Sequence, residues 1–544
     1  MRYLRLGRCL FIITLSLTLG AWAQGTSQTG RGAPPQSTAA QPSVAQRGAL
    51  GQTGQRGGAG TYDYDVTQGT VPPPDVKPSE THQKISINGE ILAYTAQAGY
   101  LPVRNATTGQ IEAQIFFTSY VKDGAGDASA RPIVFFFGGG PGVSAAWQEF
   151  GGLGPKRMKG TGDGAPAPPP YGWTDNPDTL LGAADLVFVN PVGTAFSRPY
   201  PPSRGPTFWT TAGDIASLAE FVRAFLGVAD RRNSPVFLAG EDSGTGRVAG
   251  LAGYLHDHKI PVTGAVLLSM TPSADSIAGD AQYLNLLPSL ALAAWSHKKL
   301  AADLQALGAD ALAQQTRQFA SREYLHALYK GDRMTADEKT KAIANLMRLT
   351  GVSQAFIVSN NLRITLDRFN AELLRGERRV LSSSDSRVTG FAPASGGGRG
   401  GFGGFGGGFA APSMDYGLSD LSAGFQTAYE AYLRRELGFT GGTGIYYLSS
   451  GGTGTFTSTG NDDSSLSTVF VRNPRLRLFV ALNYFDLTAP FSAAEFTLAH
   501  VGVSPDIRAR NITVSHYEAG KMSVIDPKAL TRLTADLAKF IREK

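Results

Sequence analysis

The stretch Gly240-Glu241-Asp242-Ser243-Gly244 decides the fold of this 544-residue chain. An apolar run at 236–239 precedes it and predicts a buried strand, and small residues at 247–255 predict a helix packed against a sheet. A sharp strand-to-helix turn, or nucleophile elbow, needs glycine two positions before and two positions after its tip, because the strained backbone crowds both neighbours. The two glycines here stand at that spacing from Asp242. We therefore expect Asp242, and not Ser243, at the tip.

Apolar runs that predict strands recur on both sides of this turn and alternate with helical patterns. One such pattern, 214–226, carries its apolar residues on a single face, and the chain ends in a helix that begins with Asp526 and Pro527. The alternation predicts an α/β fold in which a mostly parallel central sheet is flanked by helices. The predicted strands are 133–137, 186–189, 236–239, 265–269, 476–482 and 512–517.

The remaining segments divide the chain around this core. Residues 1–23 have arginines, an apolar run and an Ala-Trp-Ala cleavage site, which are typical of a signal peptide. Residues 24–81 are rich in Gly, Gln, Ser and Pro and predict a disordered linker. The α/β core is expected in two parts, at 82–280 and 441–544. Between them, 281–440 predict a helical cap insertion with a Gly/Phe-rich loop at 396–409, and caps of this kind shape pockets.

Composition excludes several classes of function. The only cysteine, Cys9, lies in the predicted signal peptide, so the mature chain has no thiol for a disulfide, a nucleophile or a metal ligand. The formal net charge of +6 falls to about +3 without the signal arginines, which is too small to indicate binding to nucleic acid or to a membrane surface. We expect an exported protein, periplasmic or extracellular, with no cofactor, no metal and no membrane contact beyond the signal peptide.

Four segments in order resemble the serine carboxypeptidase family of α/β-hydrolases, in particular its secreted bacterial members. They are similar to the family's Gly-Gly-Pro-Gly loop, its Pro-Val-Gly-Thr segment, its elbow, and the turn that carries its catalytic aspartate. In this chain they read Phe137-Gly138-Gly139-Gly140-Pro141-Gly142-Val143-Ser144, Asn190-Pro191-Val192-Gly193-Thr194-Ala195-Phe196-Ser197, Gly240 to Arg247, and Tyr484-Phe485-Asp486-Leu487-Thr488. The resemblance runs from about residue 82 to 544 and implies the α/β-hydrolase fold.

The resemblance also implies a catalytic triad, and two of its three positions differ in this chain. The roles of nucleophile, base and orienting acid fall on Asp242, Lys521 and Asp486, where the family has serine, histidine and aspartate. The family's oxyanion hole implies two backbone donors. One is Gly140, in the glycine turn that also includes Gly139, and the other is Ser243, in the elbow.

Two further positions concern the family's recognition of a peptide C-terminus. Glu241 matches the glutamate that holds the terminal carboxylate, but Gly138 stands where the family has the asparagine that shares this task. An added carboxylate at Asp242 repels an anionic chain end.

These changes predict an ion cluster of Asp242, Lys521 and Asp486 and a catalytically inactive protein of carboxypeptidase type. The two acidic neighbours raise the pKa of Lys521 and leave it a poor base. The alternative is an active carboxypeptidase or esterase that uses Asp242 or Ser243 as nucleophile with Lys521 as base. A displaced histidine base is not expected, because His516, the nearest in sequence, precedes Lys521 by five residues on the strand side. A peptide or small ester ligand fits the expected pocket, and the sequence does not predict the oligomeric state.

Overall fold

Residues 77–87, 89–139, 142–160, 168–201, 204–392, 416–441 and 466–543 are described by the computed structural model. All belong to one compact unit, Arg56–Lys544. The predicted signal peptide, nearly all of the predicted linker and the Gly/Phe-rich loop at 396–409 lie outside the described residues. Among the described residues, no helix has the length and apolar character that crossing a membrane requires.

One ten-stranded sheet forms the centre of the fold, in the order β1-β2-β3-β7-β4-β9-β10-β13-β14, with β8 paired to β3. Strands β4, β7, β9, β10, β13 and β14 run parallel, and β1 to β3 are antiparallel additions at one edge. The strands are β1 Ser79–Ile87, β2 Glu90–Arg104, β3 Ile111–Lys122, β4 Ile133–Phe137, β5 Lys156–Met158, β6 Trp173–Asp175, β7 Asp185–Val189, β8 Arg198–Pro199, β9 Val236–Glu241, β10 Gly264–Leu268, β11 Arg379–Leu381, β12 Thr389–Phe391, β13 Arg477–Asn483 and β14 Ile512–Tyr517.

The helices connect and cover these strands. They are α1 Ala146–Gln148, α2 Gly205–Phe208, α3 Thr211–Val228, α4 Gly244–Asp257, α5 Ala281–Ser296, α6 Ala302–Gln305, α7 Ala309–Phe319, α8 Leu325–Lys330, α9 Ala336–Thr350, α10 Gln354–Ser359, α11 Leu366–Glu372, α12 Tyr416–Arg435, α13 Leu466–Arg472, α14 Phe491–Ala499, α15 Pro505–Asn511 and α16 Pro527–Arg542. Asp526 caps α16 as predicted, since its side chain accepts hydrogen bonds from the backbone N–H groups of Lys528 and Ala529.

Five of the six parallel strands, β4, β7, β9, β10 and β13, are buried almost throughout, which explains their nearly continuous apolar sequences, whereas the edge strand β14 is partly exposed. In β4, Phe135 and Phe137 pack into a core shared with α3, α4 and α14, while Phe136 packs into a core on the opposite face shared with α16. All six predicted strands are present, and their ends agree with the sequence prediction within two residues. The predicted α/β-hydrolase-type architecture is confirmed.

The segment between β10 and β13 contributes helices to both faces of the sheet. Its helices α5 to α11 extend the core that contains α3 and α4, whereas α12 packs into the core on the other face. It also contributes the antiparallel hairpin β11–β12. The predicted insertion is therefore neither a single cap nor purely helical in its described part.

The predicted end of the linker at residue 81 is wrong. Strand β1 begins at Ser79 and pairs with β2 from its first residue, Ser79 opposite Ala98. The first six residues of edge strand β1 are polar, Ser-Glu-Thr-His-Gln-Lys, and are ordered by backbone pairing with β2, while Ile85 and Ile87 near its end pack on the core.

Candidate active site

Asp242 occupies the tip of the elbow, as the glycine spacing predicts. It lies between the end of β9 and the start of α4 with a φ of +51°, a left-handed conformation that is uncommon for a residue with a side chain. A Cβ on Gly240 would lie 2.4 Å from the carbonyl oxygen of Gly244, and one on Gly244 would lie 2.6 Å from that of Gly138. Both glycines are thus required by close backbone contact.

Ser243 does not occupy the tip. Its φ of −61° and ψ of −18° are helical, and it starts the first turn of α4 with an exposed side chain. No hydrogen bond joins its hydroxyl to Lys521 among the described residues. The geometry gives no support to a shifted elbow with Ser243 as nucleophile.

Lys521 and Asp242 form a direct ion pair. Lys521 Nζ lies 2.7 Å from Asp242 Oδ2, and the two side chains are 22% and 29% exposed. The position of Lys521 is fixed through its backbone, since its N–H donates to the carbonyl of Ser384 at 2.6 Å and its carbonyl accepts from Asn483 Nδ2 at 3.1 Å. The nucleophile and base positions of the implied triad are therefore joined to each other.

The surrounding charges hold the proton on Lys521. Burial alone would lower its pKa, but the carboxylates of Asp242, Asp486 and Glu241 outweigh this effect and raise the pKa above its usual value. A general base must be neutral to accept a proton, so this environment opposes the role that histidine has in the family.

Asp486 lies beside the pair but is not joined to it. Its Oδ1 accepts hydrogen bonds from the N–H and hydroxyl of Thr488 and the N–H of Ala489, and its Oδ2 accepts one from Ser269 Oγ at 2.5 Å. Burial raises its pKa, opposed by the charge of Lys521 and by these hydrogen bonds. The prediction of an ion cluster of all three residues needs correction: among the described residues Lys521 is ion-paired with Asp242, and Asp486 acts on it only through its field.

Glu241 is buried directly behind the tip. It is 4% exposed, and its Oε2 accepts a hydrogen bond from Gln148 Nε2 at 2.8 Å. Burial raises its pKa to about 8, helped by the charge of Asp242 and opposed by Lys521. Oε1 of Glu241 and Oε1 of Gln148 are buried with no partner among the described residues. The acid that the resemblance assigns to peptide recognition therefore favours its neutral form more strongly than an exposed carboxyl group does.

The glycine loop after β4 packs against the elbow. A Cβ on Gly138 would lie 2.1 Å from the carbonyl oxygen of Val143, and one on Gly139 would lie 2.9 Å from that of Glu241. The buried Arg247 connects the loop to α4, because its Nη1 donates to the carbonyl of Gly138 at 2.7 Å while Nε pairs with Asp214. Gly140, the predicted oxyanion donor, lies outside the described residues.

The hairpin β11–β12 braces the site from the insertion. In its turn, residues 382–388, two neighbouring carbonyl groups accept hydrogen bonds from the site. The carbonyl of Ser383 accepts from the N–H of Leu487, and that of Ser384 accepts from the N–H of Lys521. Arg387 pairs with Asp385 and Asp526 and donates to the carbonyl of Glu518. The turn thereby ties together the loops that carry Asp486 and Lys521.

His516 serves a separate network. Its Nε2 lies 2.7 Å from Glu495 Oε1, and its ring stacks on Tyr484. Arg317 of α7 binds the same carboxylate at 2.5 Å. Among the described residues, no group of three or more His, Cys, Asp or Glu side chains is arranged to hold a metal ion.

Comparisons with known proteins point to the same family as the motifs. Residues 87–263 match the serine carboxypeptidase family model. The matched region contains the glycine loop and the elbow and ends before Asp486 and Lys521. A search of curated proteins found no match.

Solved structures show the fold. Kex1Δp, a prohormone-processing carboxypeptidase from Saccharomyces cerevisiae, is similar with a TM-score of 0.50 and 14% identity over 82% of this chain and 91% of that one. A laboratory-evolved potato epoxide hydrolase gives 0.32 and 11% over 85% and 99%. The peroxisomal α/β-hydrolase Lpx1 of Saccharomyces cerevisiae gives 0.31 and 9% over 86% and 89%. The likeness to Kex1Δp shows the α/β-hydrolase fold, and the family match shows that residues 87–263 are similar to the serine carboxypeptidase family.

Two residues of the site were not predicted from the sequence. Ser269 directly follows β10 and has a φ of +48°, so it stands at the end of its strand as Asp242 does at the end of β9. That placement is a signal that could have revealed it, because ligands in such folds bind at the carboxyl ends of the strands. Gln148 gave no signal, since only the tertiary fold brings it to Glu241.

Proposed function

We propose that this protein is an exported, serine-carboxypeptidase-like protein without peptidase activity. The observation that carries the proposal is the 2.7 Å ion pair between Lys521 Nζ and Asp242 Oδ2. In the serine carboxypeptidase mechanism these two positions must hold a nucleophile and a base that removes its proton. Here the two side chains neutralise each other's charge.

The ion pair also opposes an aspartyl-ester mechanism. Attack by Asp242 on a substrate carbon requires its carboxylate to leave Lys521, and the resulting ester requires a neutral base to activate water. The raised pKa of Lys521 keeps the ammonium form. The carboxylate oxygens of Asp486 already accept hydrogen bonds from Ser269, Thr488 and Ala489. This opposes a role for Asp486 as the base that activates water.

The proposed remaining role is non-catalytic binding of a peptide or small ester, or a purely structural one. The charges disfavour the free C-terminus of a peptide, because Asp242 would repel a terminal carboxylate and Gly138 offers no amide side chain. The proposal of export is based on the signal-peptide pattern at 1–23. The cleavage site in this pattern predicts that the mature protein begins at Gln24.

A peptidase and esterase assay of the purified mature protein tests the proposal. Peptides with free C-termini and p-nitrophenyl esters are incubated with wild type and with Asp242→Ala, and residue release is followed by mass spectrometry. We expect no turnover above the buffer rate from either protein. Turnover by wild type that Asp242→Ala abolishes would overturn the proposal and favour an active hydrolase. Turnover lost in Ser243→Ala but kept in Asp242→Ala would assign the reaction to Ser243.

A further inference from the structure

Another buried acid, Glu149, lies at the centre of a network of hydroxyl groups. Its side chain accepts hydrogen bonds from Thr118 Oγ1 at 2.7 Å, Tyr120 OH at 2.5 Å and Tyr429 OH at 2.5 Å. Thr118 and Tyr120 belong to β3, whereas Tyr429 belongs to α12. Glu149 thus connects the sheet to the helix that the insertion places on this face.

No cation compensates the charge of Glu149. The residue is 1% exposed, and none of the ion pairs among the described residues includes it. The titratable groups that face the network are Tyr94 of β2, Tyr120 of β3, Tyr429 and Tyr432 of α12, and Glu436 just after α12. They are four tyrosines and one carboxyl group, so none of them can carry a positive charge. An ionised carboxylate in this place is therefore a buried charge without a counter-ion, which is costly.

The network can also accept a proton without moving its heavy atoms. Tyr120 OH lies 2.8 Å from Tyr432 OH, and either oxygen can be the donor of that bond. When Glu149 is protonated, it can donate to Tyr120, whose hydroxyl then turns and donates to Tyr432. Glu149 thus has hydrogen-bond partners in both protonation states, but only its ionised state is a buried charge.

From this geometry we propose that Glu149 is a proton-operated latch, which holds α12 on the sheet when it is protonated and weakens that hold when it is ionised. Helix α12 is the element that responds, because it supplies Tyr429 and Tyr432 and covers the acid from the insertion. Helix α12 also makes apolar contacts that do not depend on pH, such as the stacking of Phe425 on Trp147 at 4.2 Å between ring centroids.

The direction of the pH effect follows from the protonation of the docked state. Burial raises the pKa of Glu149 to about 7, against 4.5 for the exposed group, opposed by the hydroxyls of Tyr120, Tyr429 and Thr118. The docked state therefore binds the proton more tightly than a state in which α12 has opened. Docking is strongest below about pH 4.5 and weakens as the pH rises to about 7, with no further change far above it.

Hydrogen exchange of the full chain tests this latch. Exchange of α12 residues 421–435 is measured at pH 5.5 and pH 8.0 and corrected for the intrinsic pH dependence of the amide reaction. We expect opening of α12 to be about tenfold or more easier at pH 8.0 in wild type. Glu149→Gln, which cannot ionise, should bring this ratio close to one. The exposed Glu90→Gln removes the same charge elsewhere and should keep the wild-type ratio.

Two results would overturn the proposal. One is an equal opening of α12 at both pH values in wild type, and the other is a wild-type ratio in Glu149→Gln. If Glu149→Gln does not fold, Tyr429→Phe supplies the test, because it removes one donor to the carboxylate and keeps the acid. Its ratio should then be at least as large as that of wild type, and a ratio near one would contradict the latch.

Discussion

Lys521 Nζ lies 2.7 Å from Asp242 Oδ2, so the residues at the base and nucleophile positions of the implied triad bind each other. Each of the two changes would leave a charge at the centre of the site if it stood alone. Together they form a neutral pair whose members are both less than one-third exposed. The pair is thus a coherent replacement for a serine and a histidine, and it gives direct predictions for stability.

The first prediction concerns the strength of this pair. Asp242→Asn and Lys521→Met should each destabilise the protein, and the double variant should lose less than the sum of both. We expect a coupling free energy of roughly 1–2 kcal/mol, between the values of exposed and buried pairs. Urea unfolding of the four proteins of the cycle measures it. A coupling indistinguishable from zero would show that the pair does not contribute.

The second prediction concerns the elbow glycines. Gly244→Ala should destabilise the protein by roughly 1–3 kcal/mol, because its Cβ would lie 2.6 Å from the carbonyl oxygen of Gly138 and force the glycine loop away. Gly246 is a matched control in the same helix, since no atom lies within 4 Å of a Cβ there. Gly246→Ala should stabilise α4 by up to about 1 kcal/mol through helix propensity. Thermal unfolding compares the two, and similar effects at both positions would contradict the close packing of the elbow.

The third prediction concerns the hydrogen bond from Ser269 to Asp486. Ser269→Ala removes the donor at Oδ2, and we expect a loss of roughly 1.5–3 kcal/mol at pH 8, as for other hydrogen bonds to charged groups. The loss should be smaller at pH 5. Because burial already raises the pKa of Asp486, removal of a donor raises it further and makes the folded protein hold the proton more tightly.

Ser269→Gly separates this effect from the backbone conformation. It lacks the hydroxyl as well, but it favours the φ of +48°. It should show the same dependence on pH with a smaller total loss. An equal loss for Ser269→Ala at pH 5 and pH 8 would mean that the hydroxyl does not stabilise the ionised form of Asp486.

The fourth prediction concerns Glu241 and the pH dependence of stability. Burial raises its pKa to about 8 in the folded protein, against 4.5 for the unfolded chain, so unfolding between these values releases a proton. The free energy of unfolding should therefore fall as the pH rises from about 4.5 to about 8. Glu241→Gln should make this decline less steep over the whole range, and the change should be clearest above about pH 7, where Glu149 is largely ionised. Chemical unfolding at half-unit steps of pH measures both proteins, and parallel curves would show that Glu241 ionises normally.

Much of the fold was predictable from local sequence. Five of the six parallel strands are apolar on both faces, and a strand of that kind is visible as a continuous run in the sequence. Asp242 was assigned to the tip from the spacing of its two glycines alone, because the steric requirement of the turn is local. The edge strand β1 was missed, since its polar residues are ordered by backbone pairing with β2.

The sequence by itself determined the α/β-hydrolase architecture, the elbow with Asp242 at its tip, and the pairing of acid and lysine at the triad positions, because these depend on local periodicity and motif order. Only the tertiary structure decided which acid holds Lys521. Ser269, Thr488 and Ala489 fill the oxygens of Asp486 and leave Asp242 as the partner, and Gln148 reaches Glu241 across 93 positions of the chain. Such contacts join residues far apart in the chain, and the hydrogen-bond capacity of each group, which no local pattern encodes, selects among the possible partners.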